Sequence, residues 1–323
     1  MRRKGCIVAG VLAALALLAL VLSSGLVFGS AQVEEDTSFI VPSGSTLTAA
    51  AEKLEDEGLI TSADGFLLRA KLFGGSDPIQ AGEFLLPAGV GIGGIHEIFQ
   101  HGEVIRRFVT IPEGMPSIMV YERLMAEPLL TGEIPVPEEG SVLPDTYAFE
   151  RGESRIEVLA RMQAAMRNYL AEAWPKRAPD IAVDTIQEAV TLASIVEKET
   201  ALPSERRMVA GLYSNRLKEG MFLQADPTII YPITKGKPLG RRIRQSEIAD
   251  INDYNTYSMA GLPKGPITNP GRKSIAAVLN PADTEALYMV ADGTGGHEFN
   301  DTYAAHQEAV DKWFDLRRKR GEM

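Results

Sequence analysis

The clearest hydrophobic pattern in this chain lies at residues 186–197, where apolar positions recur every three or four residues. Ile186, Val190 and Ala193 fall on one helical face. The next position of that face is Glu197. The spacing therefore predicts a helix whose last turn carries a carboxylate among apolar neighbours.

The predicted helix begins after Asp184, a candidate N-cap with Gln187 three residues later, and it ends in Glu197-Lys198-Glu199. A carboxylate on an apolar face is partly desolvated, which raises its pKa and suits a general acid. The periodicity does not choose between Glu197 and Glu199, and it leaves Lys198 to pair with either or to face solvent. The alternative interpretation is a helix end whose charges are simply solvated.

A strand, a Pro-x-Gly turn and a helix follow one another twice in the first part of the chain. Residues 39–44 read Phe-Ile-Val-Pro-Ser-Gly and residues 108–114 read Phe-Val-Thr-Ile-Pro-Glu-Gly. A helical pattern follows each copy. Between the copies, residues 79–86 alternate weakly like an edge strand, and a short helix is predicted at 95–100. These patterns predict a small α+β domain.

Two further helices surround the Glu-Lys-Glu segment. Residues 155–174 are amphipathic, and a helix capped by Ser204 and closed by Gly220 follows the segment. The carboxylates are therefore predicted at an elbow between helices. The stretch 223–271 is interpreted as loops, rich in amide, phenol and hydroxyl groups of the kind that bind sugar rings.

The last part of the chain is predicted to fold as a strand, a hairpin turn and a helix. The strand is expected at residues 286–291, the turn at 293–299 and the helix at 304–319. The helix ends in a basic turn, which complements its dipole.

The N-terminus carries a membrane-targeting pattern. Residues 7–22 are sixteen consecutive Ala, Val, Ile, Leu and Gly residues, preceded by three basic residues and followed by the acidic residues 34–36. The uncharged stretch is long enough to span a bilayer, and the positive-inside rule leaves the tail in the cytoplasm and exports the rest. A cleaved signal peptide, with small residues at 29–31, is the competing interpretation.

The amino-acid composition argues against several classes of partner and site. The formal net charge of -10 argues against nucleic acid as a partner. Cys6, before the exported part, is the only cysteine, so no disulfide is expected there. The four histidines lack zinc-binding spacings, so we expect no metal and no cofactor. About 290 residues after the predicted anchor suggest two or three compact units.

Several short motifs follow one another over most of the chain. Besides the two Pro-x-Gly turns, the motifs are Leu-Pro-Asp-Thr-Tyr at 143–147, Leu-Ala-Ser-Ile-Val-Glu-Lys-Glu-Thr at 192–200, Leu-Gln-Ala-Asp-Pro-Thr at 223–228, Tyr-Asn-Thr-Tyr at 254–257, Gly-Leu-Pro-Lys-Gly-Pro at 261–266 and Gly-Gly-His-Glu-Phe at 295–299. In their order and spacing they resemble the endolytic murein transglycosylases of the YceG-like, or MltG, family. The segment Ser141-Val142-Leu143 departs from the family, which usually has bulkier apolar or aromatic residues there.

The resemblance implies an α+β fold with a single N-terminal transmembrane helix. A cytoplasmic tail (1–5) and an anchor (6–28) would precede a small LysM-like α+β subdomain (37–107). A second α+β unit and connector (108–180) would lead to a mixed α/β catalytic domain (181–323). The protein would then sit in the cytoplasmic (inner) membrane with its catalytic part in the periplasm.

The resemblance also implies an activity. The enzyme would cleave the MurNAc-GlcNAc β-1,4 bond within peptidoglycan glycan strands, giving 1,6-anhydro-MurNAc ends and limiting nascent strand length. Glu197 would be the catalytic residue, and peptidoglycan synthases are expected partners. The candidate sugar-positioning residues are Glu199, Gln224, Asp226, Tyr254, Asn255 and Tyr257.

Two rival functions remain open from the sequence. The first is a hydrolase of the same bond, in which Asp226 or Glu199 activates water. The second is a wall-binding scaffold without catalysis. The sequence offers only one strong desolvated carboxylate, and this favours the transglycosylase, because the 6-hydroxyl of the muramic acid itself is the nucleophile there.

Overall fold

The computed structural model describes residues 28–322. The chain divides into two compact units, Met1–Arg107 and Phe108–Met323. The predicted tail and transmembrane anchor lie outside the described residues, apart from Phe28. Among the helices of residues 28–322, none combines the length and the apolar character needed to cross a membrane.

The first unit packs three helices around a two-stranded antiparallel sheet. Strand β1 (Thr37–Val41) pairs with β2 (Gly82–Leu86), so that Phe39 lies opposite Phe84. The predicted edge strand at 79–86 is therefore confirmed from residue 82 onward. The helices are α1 (Leu47–Asp56), α2 (Ala63–Phe73) and α3 (Ile92–His101).

Aromatic rings fill the core of this unit. Phe39 stacks on Phe99 with ring centroids 5.3 Å apart, and Phe84 lies 5.5 Å from the same ring. Helix α1 begins at a local cap, because the Thr46 side chain accepts a hydrogen bond from Ala49 N at 3.2 Å. Helix α2 was not predicted from the sequence.

The second unit begins with a sheet of two short strands and two helices. Its elements are β3 (Arg107–Thr110), α4 (Ser117–Ala126), β4 (Thr146–Phe149) and α5 (Arg155–Ala173). Strands β3 and β4 pair with each other. A hydrophobic cluster joins these elements, and it includes Val109, Val120, Leu124, Phe149, Val158 and Met162.

The rest of this unit is mainly helical and has its own hydrophobic cluster, centred on α6, α7 and α10. The helices are α6 (Ile186–Glu199), α7 (Arg206–Lys218), α8 (Asp226–Thr234), α9 (Gln245–Ile248), α10 (Arg272–Leu279) and α11 (Tyr303–Lys319). Strands β5 (Tyr288–Ala291) and β6 (His297–Asn300) form an antiparallel hairpin. The cluster includes Leu192, Ile195, Val209, Leu212 and Ile275.

The predicted N-caps of α6 and α7 were each wrong by one residue. Helix α6 is capped by Thr185 rather than Asp184, because Thr185 accepts from Glu188 N and Glu188 accepts in return from Thr185 N, each at 3.1 Å. This reciprocal capping box satisfies two free N–H groups of the first turn. Helix α7 starts at Arg206, with Glu205 rather than Ser204 at its N-cap.

The interpretation of residues 223–271 as loops was incomplete. Helix α8 begins inside this stretch, with Pro227 in its first turn, where the missing N–H of proline removes no helical hydrogen bond. Helix α9 is a single short turn in the same stretch. Helix α10 starts directly after Gly271, so the stretch lies between helices that hold its turns in place.

Candidate functional site

The candidate site lies at the elbow between α6 and α7. Helix α6 ends at Glu199 because Thr200 has an extended backbone. The Thr200 hydroxyl donates to Glu205 Oε2 at 3.0 Å and accepts from Leu202 N at 3.0 Å. Glu205 also accepts from His297 N at 2.8 Å, so the elbow is tied to strand β6.

Glu197 lies in the last turn of α6 and is held by donors from two other segments. Its side chain is 4% exposed. Gly271 N donates to Oε2 at 2.8 Å, and Arg206 Nη2 donates to Oε1 at 3.1 Å. The orientation of the carboxyl group is therefore fixed from the turn before α10 and from the first residue of α7.

Arg206 brings a second carboxyl group to the site. Its Nη2 also donates to Glu113 Oε2 at 3.1 Å, and the Glu113 side chain is 40% exposed. The Nε and Nη1 atoms of Arg206 are buried without a hydrogen-bond partner. Neither Glu113 nor Arg206 was predicted. Glu113 lies far from Glu197 in the sequence, and Arg206, nine residues beyond Glu197, reaches it because the chain turns between α6 and α7. The Pro-Glu-Gly turn that carries Glu113 was the available signal.

Two glycines allow these loops to lie against the carboxylates. Gly114 has a φ of +73°, and a Cβ atom there would lie 3.3 Å from Glu197 Cγ. A Cβ at Gly271 would collide with the carboxyl group of Glu113. A larger residue at Gly114 would therefore press on Glu197, and one at Gly271 would displace the side chain of Glu113.

The side chain of Asn269 links the loops around the site through hydrogen bonds. Its side chain has no exposed surface. Its Oδ1 accepts from Val142 N at 3.0 Å, and its Nδ2 donates to Met115 O at 2.9 Å and to Ser117 Oγ at 3.0 Å. One buried amide thus positions the segments before α4, before β4 and before α10.

Glu139 is a further buried carboxyl group near the site. It accepts from Ser117 N, the first residue of α4, at 2.8 Å. Burial raises its pKa to about 7, while hydrogen bonds from Ser117 and Tyr231 and the charge of Lys198 act in the opposite direction. Lys198 itself donates to Gly114 O at 3.4 Å. Glu139 was not predicted from the sequence.

Glu199 points to a different group of residues from Glu197. Burial raises its pKa to about 7, with a smaller contribution from the Asp226 carboxylate, while the Tyr213 hydroxyl and Arg216 oppose the shift. Its Oε1 is buried without a hydrogen-bond partner.

Three of the predicted sugar-positioning residues lie next to one another. The Tyr257 hydroxyl donates to Asp226 Oδ1 at 2.7 Å, and burial raises the pKa of Tyr257. Asp226 acts electrostatically on Glu199. Gln224 is exposed nearby along the chain and has a φ of +51°, a conformation that non-glycine residues rarely adopt.

Tyr254 and Asn255 have different surroundings. The Tyr254 ring is half-buried and lies 4.8 Å from the ring of Tyr231, on the side of Glu139. Asn255 is completely buried, and its amide donates to the backbone carbonyls of Ile248 and Asp250. Asn255 therefore shapes its loop, and no polar atom of its side chain is exposed to a sugar.

The described part of the chain offers no metal site. Among residues 28–322, no three His, Cys, Asp or Glu side chains come together as ligands for a metal ion. The carboxyl groups at the site are suited to proton transfer, and its phenol, amide and guanidinium groups are suited to orienting a substrate.

Two known proteins that are similar to this chain carry the same name. The endolytic murein transglycosylase of Bacillus subtilis (strain 168) is 26% identical, over 89% of this chain and 89% of the relative. The endolytic murein transglycosylase of Streptococcus pneumoniae serotype 2 (strain D39) is 28% identical, over 84% of this chain but only 56% of the relative.

A solved structure and a family model agree with these relatives. The crystal structure of a putative YceG-like protein from Listeria monocytogenes is 25% identical, with a TM-score of 0.51, over 85% of this chain and 98% of that chain. The model of the YceG-like family matches residues 39–312, which include every residue of the candidate site. This chain therefore belongs to the YceG-like family.

Proposed function

We propose that this protein is an endolytic lytic transglycosylase that cleaves the MurNAc-GlcNAc β-1,4 bond within peptidoglycan strands and leaves 1,6-anhydro-MurNAc ends. The observation that carries the proposal is the fixed orientation of Glu197, whose two oxygens accept from Arg206 and from Gly271 N. The names of the curated relatives support the substrate and the endolytic mode.

In the first step, protonated Glu197 donates its proton to the glycosidic oxygen. The bond from this oxygen to C1 of MurNAc breaks, and its electron pair stays with the departing GlcNAc, which leaves as an alcohol. Positive charge develops at the MurNAc C1. The carboxylate left on Glu197 lies beside that centre and stabilises it.

In the second step, the same carboxylate acts as a base. It takes the proton of the MurNAc 6-hydroxyl while the oxygen attacks C1 and closes the 1,6-anhydro ring. Glu197 is then protonated again, and no water has been consumed. A single carboxyl group is sufficient for both steps because the nucleophile belongs to the substrate.

Polar and aromatic groups of the neighbouring loops are suited to holding the sugar chain. Tyr254 offers a half-buried ring beside Tyr231, and Asp226 and Tyr257 form a hydrogen-bonded pair. Ring faces contact the apolar side of a pyranose, while carboxylate and amide groups bind its hydroxyls. We retain Gln224, Asp226, Tyr254 and Tyr257 as proposed sugar contacts, with Glu199 beside Asp226.

Hydrolysis of the same bond is the second candidate, and one observation favours it. Glu113 and Glu197 both lie within hydrogen-bond distance of Arg206 Nη2. Pairs of neighbouring carboxyl groups are typical of glycoside hydrolases. Glu113 is a better candidate for activating water than Glu199, which faces Tyr213 and Asp226 instead.

Mass spectrometry of the products separates these functions. We expect the full chain to convert uncrosslinked glycan strands into fragments with anhydro ends, which are lighter by one water than reducing ends. Glu197→Gln keeps the size of the side chain but cannot transfer the proton, so activity should fall at least about a thousandfold. Glu122→Gln, an exposed carboxyl variant on α4, is the control and should remain active.

Two other outcomes would contradict the proposal. Reducing ends would establish the hydrolase. Intact strands that nevertheless bind the protein, with Glu197→Gln indistinguishable from the wild type, would indicate a wall-binding protein without catalysis.

Location and partners are proposed from the sequence. A segment at residues 6–28 would anchor the chain in the cytoplasmic membrane, with the unit that contains Glu197 on the outer side, close to peptidoglycan synthases and nascent strands. Fractionation of cells tests the anchor, and an intact chain found only in the soluble fraction would contradict it.

A further inference from the structure

Arg206 is shared by two carboxyl groups that differ in exposure. Its residue surface is 7% exposed, and a single nitrogen, Nη2, donates to both Glu113 and Glu197. Glu113 reaches solvent, whereas Glu197 is almost completely covered. The other donors of this guanidinium, Nε and Nη1, are buried without a hydrogen-bond partner.

This arrangement bears on how Glu197 acquires its proton. A guanidinium beside a carboxyl group favours the carboxylate, yet the proposed reaction begins with the protonated acid. If Glu197 were the only partner of Arg206, its protonation would leave a buried cation unpaired, which is strongly unfavourable. A second anion next to Arg206 removes this difficulty.

We propose that Glu113 is the positioning residue that keeps Arg206 paired whenever Glu197 carries its proton. The proposal rests on the proposed function. Glu113 holds the guanidinium while Glu197 is the acid, and both carboxylates share it once the proton has been donated. The unpaired Nε and Nη1 atoms allow the guanidinium to shift its hydrogen bonds from one partner to the other.

Within the described residues, charged groups approach Glu197 from α6, from α7 and from the turn before α4. Arg206 lies on α7, and Glu113 lies on the turn before α4. Lys198, on α6 itself, is turned to Gly114 O, and the turn before α10 contributes the backbone N–H of Gly271. Glu113 is therefore the anion among them that offsets the charge of Arg206 when Glu197 is neutral.

Glu113→Gln in the full chain tests the proposal through the pH dependence of kcat. The amide keeps the size of the side chain but removes its charge. Glu197 is then the single carboxylate partner of Arg206, and Arg206 favours its charged form. We expect kcat to fall about tenfold at neutral pH, KM to change less than twofold, and the alkaline limb of the profile to move about one unit lower. Glu113→Asp keeps the charge and should restore most of the activity.

Glu122→Gln is the matched control, since Glu122 is also a half-exposed glutamate paired with a cation, Lys237, in the same unit. It should leave kcat and its pH profile unchanged. Melting curves of all variants establish that they are folded before kinetics are compared.

Three outcomes would overturn the proposal. An unchanged pH profile in Glu113→Gln would show that Glu113 does not influence the protonation of Glu197. A loss of a thousandfold or more at every pH would place Glu113 in the chemical step itself, and failure of Glu113→Asp to restore activity would show that charge is not what matters. A wild-type chain that is inert on glycan, or a silent Glu197→Gln, would instead refute the proposed function.

Discussion

The two Pro-x-Gly turns of this chain have nearly the same backbone and entirely different surroundings. Residues 42–44 and 112–114 each follow a short strand, place glycine at a φ of +76° or +73°, and lead into a helix. A Cβ atom at Gly44 would meet nothing within 4 Å, whereas one at Gly114 would meet Glu197. The local sequence determines the turn, and distant residues make one copy part of a site.

The helices that follow the two turns are capped in different ways. Helix α1 uses the neighbouring Thr46. Helix α4 has Pro116 at its N-cap without a side-chain hydrogen bond, and the N–H of Ser117 donates to Glu139 instead. A cap supplied from another segment ties the second turn to the body of its unit, and Asn269 strengthens that connection.

We expect the largest difference between the two turns when Asn269 and Thr46 are each replaced. Asn269→Ala removes three side-chain hydrogen bonds, with Val142 N, Met115 O and Ser117 Oγ, so we expect a loss of about 3 kcal/mol in the free energy of unfolding. Thr46→Ala removes one exposed cap and should cost about 1 kcal/mol. Chemical denaturation, with a spectroscopic probe in each unit, measures both.

Equal losses for the two variants would show that Asn269 stabilises the unit no more than a local cap. Activity adds a second test. We expect Asn269→Ala to lower kcat even at temperatures where the chain is folded, whereas Thr46→Ala should not.

The sequence predicted the elements whose signals are local. The amphipathic patterns of α5, α6 and α11 and the strand of β5 were found close to their observed bounds, because periodicity and caps lie within each segment. The cap of α6 was misplaced by one residue because Asp184 and Thr185 are both good N-caps, and only Thr185 has a glutamate three residues later.

The surroundings of Glu197 could not be predicted in the same way. The hydrogen bond from Gly271 N to Glu197 joins residues 74 positions apart, and the bond from Arg206 to Glu113 joins residues 93 positions apart. Arg206 and Glu197 are nine positions apart but lie on different helices. No periodicity relates such residues, and their contact depends on how α6, α7 and α10 pack. The same holds for Glu139, whose burial follows from tertiary contacts of the connector rather than from its own segment.

Adding a methyl group at Gly44 and at Gly114 tests the two turns directly. Gly114→Ala and Gly44→Ala both force alanine into a positive φ, so each should cost about 1 kcal/mol of stability. Only the methyl at Gly114 would press on Glu197, since the Cβ to Cγ distance would be 3.3 Å. We expect about a tenfold fall in kcat/KM for Gly114→Ala and none for Gly44→Ala, because small displacements of a catalytic group slow the reaction strongly.

Anhydro-end formation from glycan strands measures the effect of each variant. If Gly44→Ala lowered activity as much as Gly114→Ala, strain in a turn would account for both losses, and the contact with Glu197 would be irrelevant.

Glu139 and Glu199 in the second unit and His96 in the first are buried groups whose pKa values are shifted in opposite directions. In the second unit, burial raises the pKa of Glu199 and Glu139 from 4.5 to about 7. Between pH 4.5 and 7 the unfolded chain therefore binds fewer protons than the folded unit, and these two groups make stability fall as pH rises. In the first unit, burial lowers the pKa of His96 below 6.5. The contribution of His96 to the free energy of unfolding therefore falls as pH decreases through 6.5.

Glu199→Gln should isolate the contribution of one carboxyl group. Since glutamine mimics the protonated form, the stability of this variant relative to the wild type should increase with pH from 4.5 to 7, by at most about 1.4 kcal/mol per pH unit, and then level off. Groups with lowered pKa values, such as Asp145, Glu205 and His306, are present in both proteins and cancel in the difference. Amide hydrogen exchange resolves the units separately, so the change should appear in α6 and α7 and be absent from β1 and β2. A difference that stayed constant over this range would mean that Glu199 is already ionised in the folded unit at pH 5, and the contrast with His96 would then disappear.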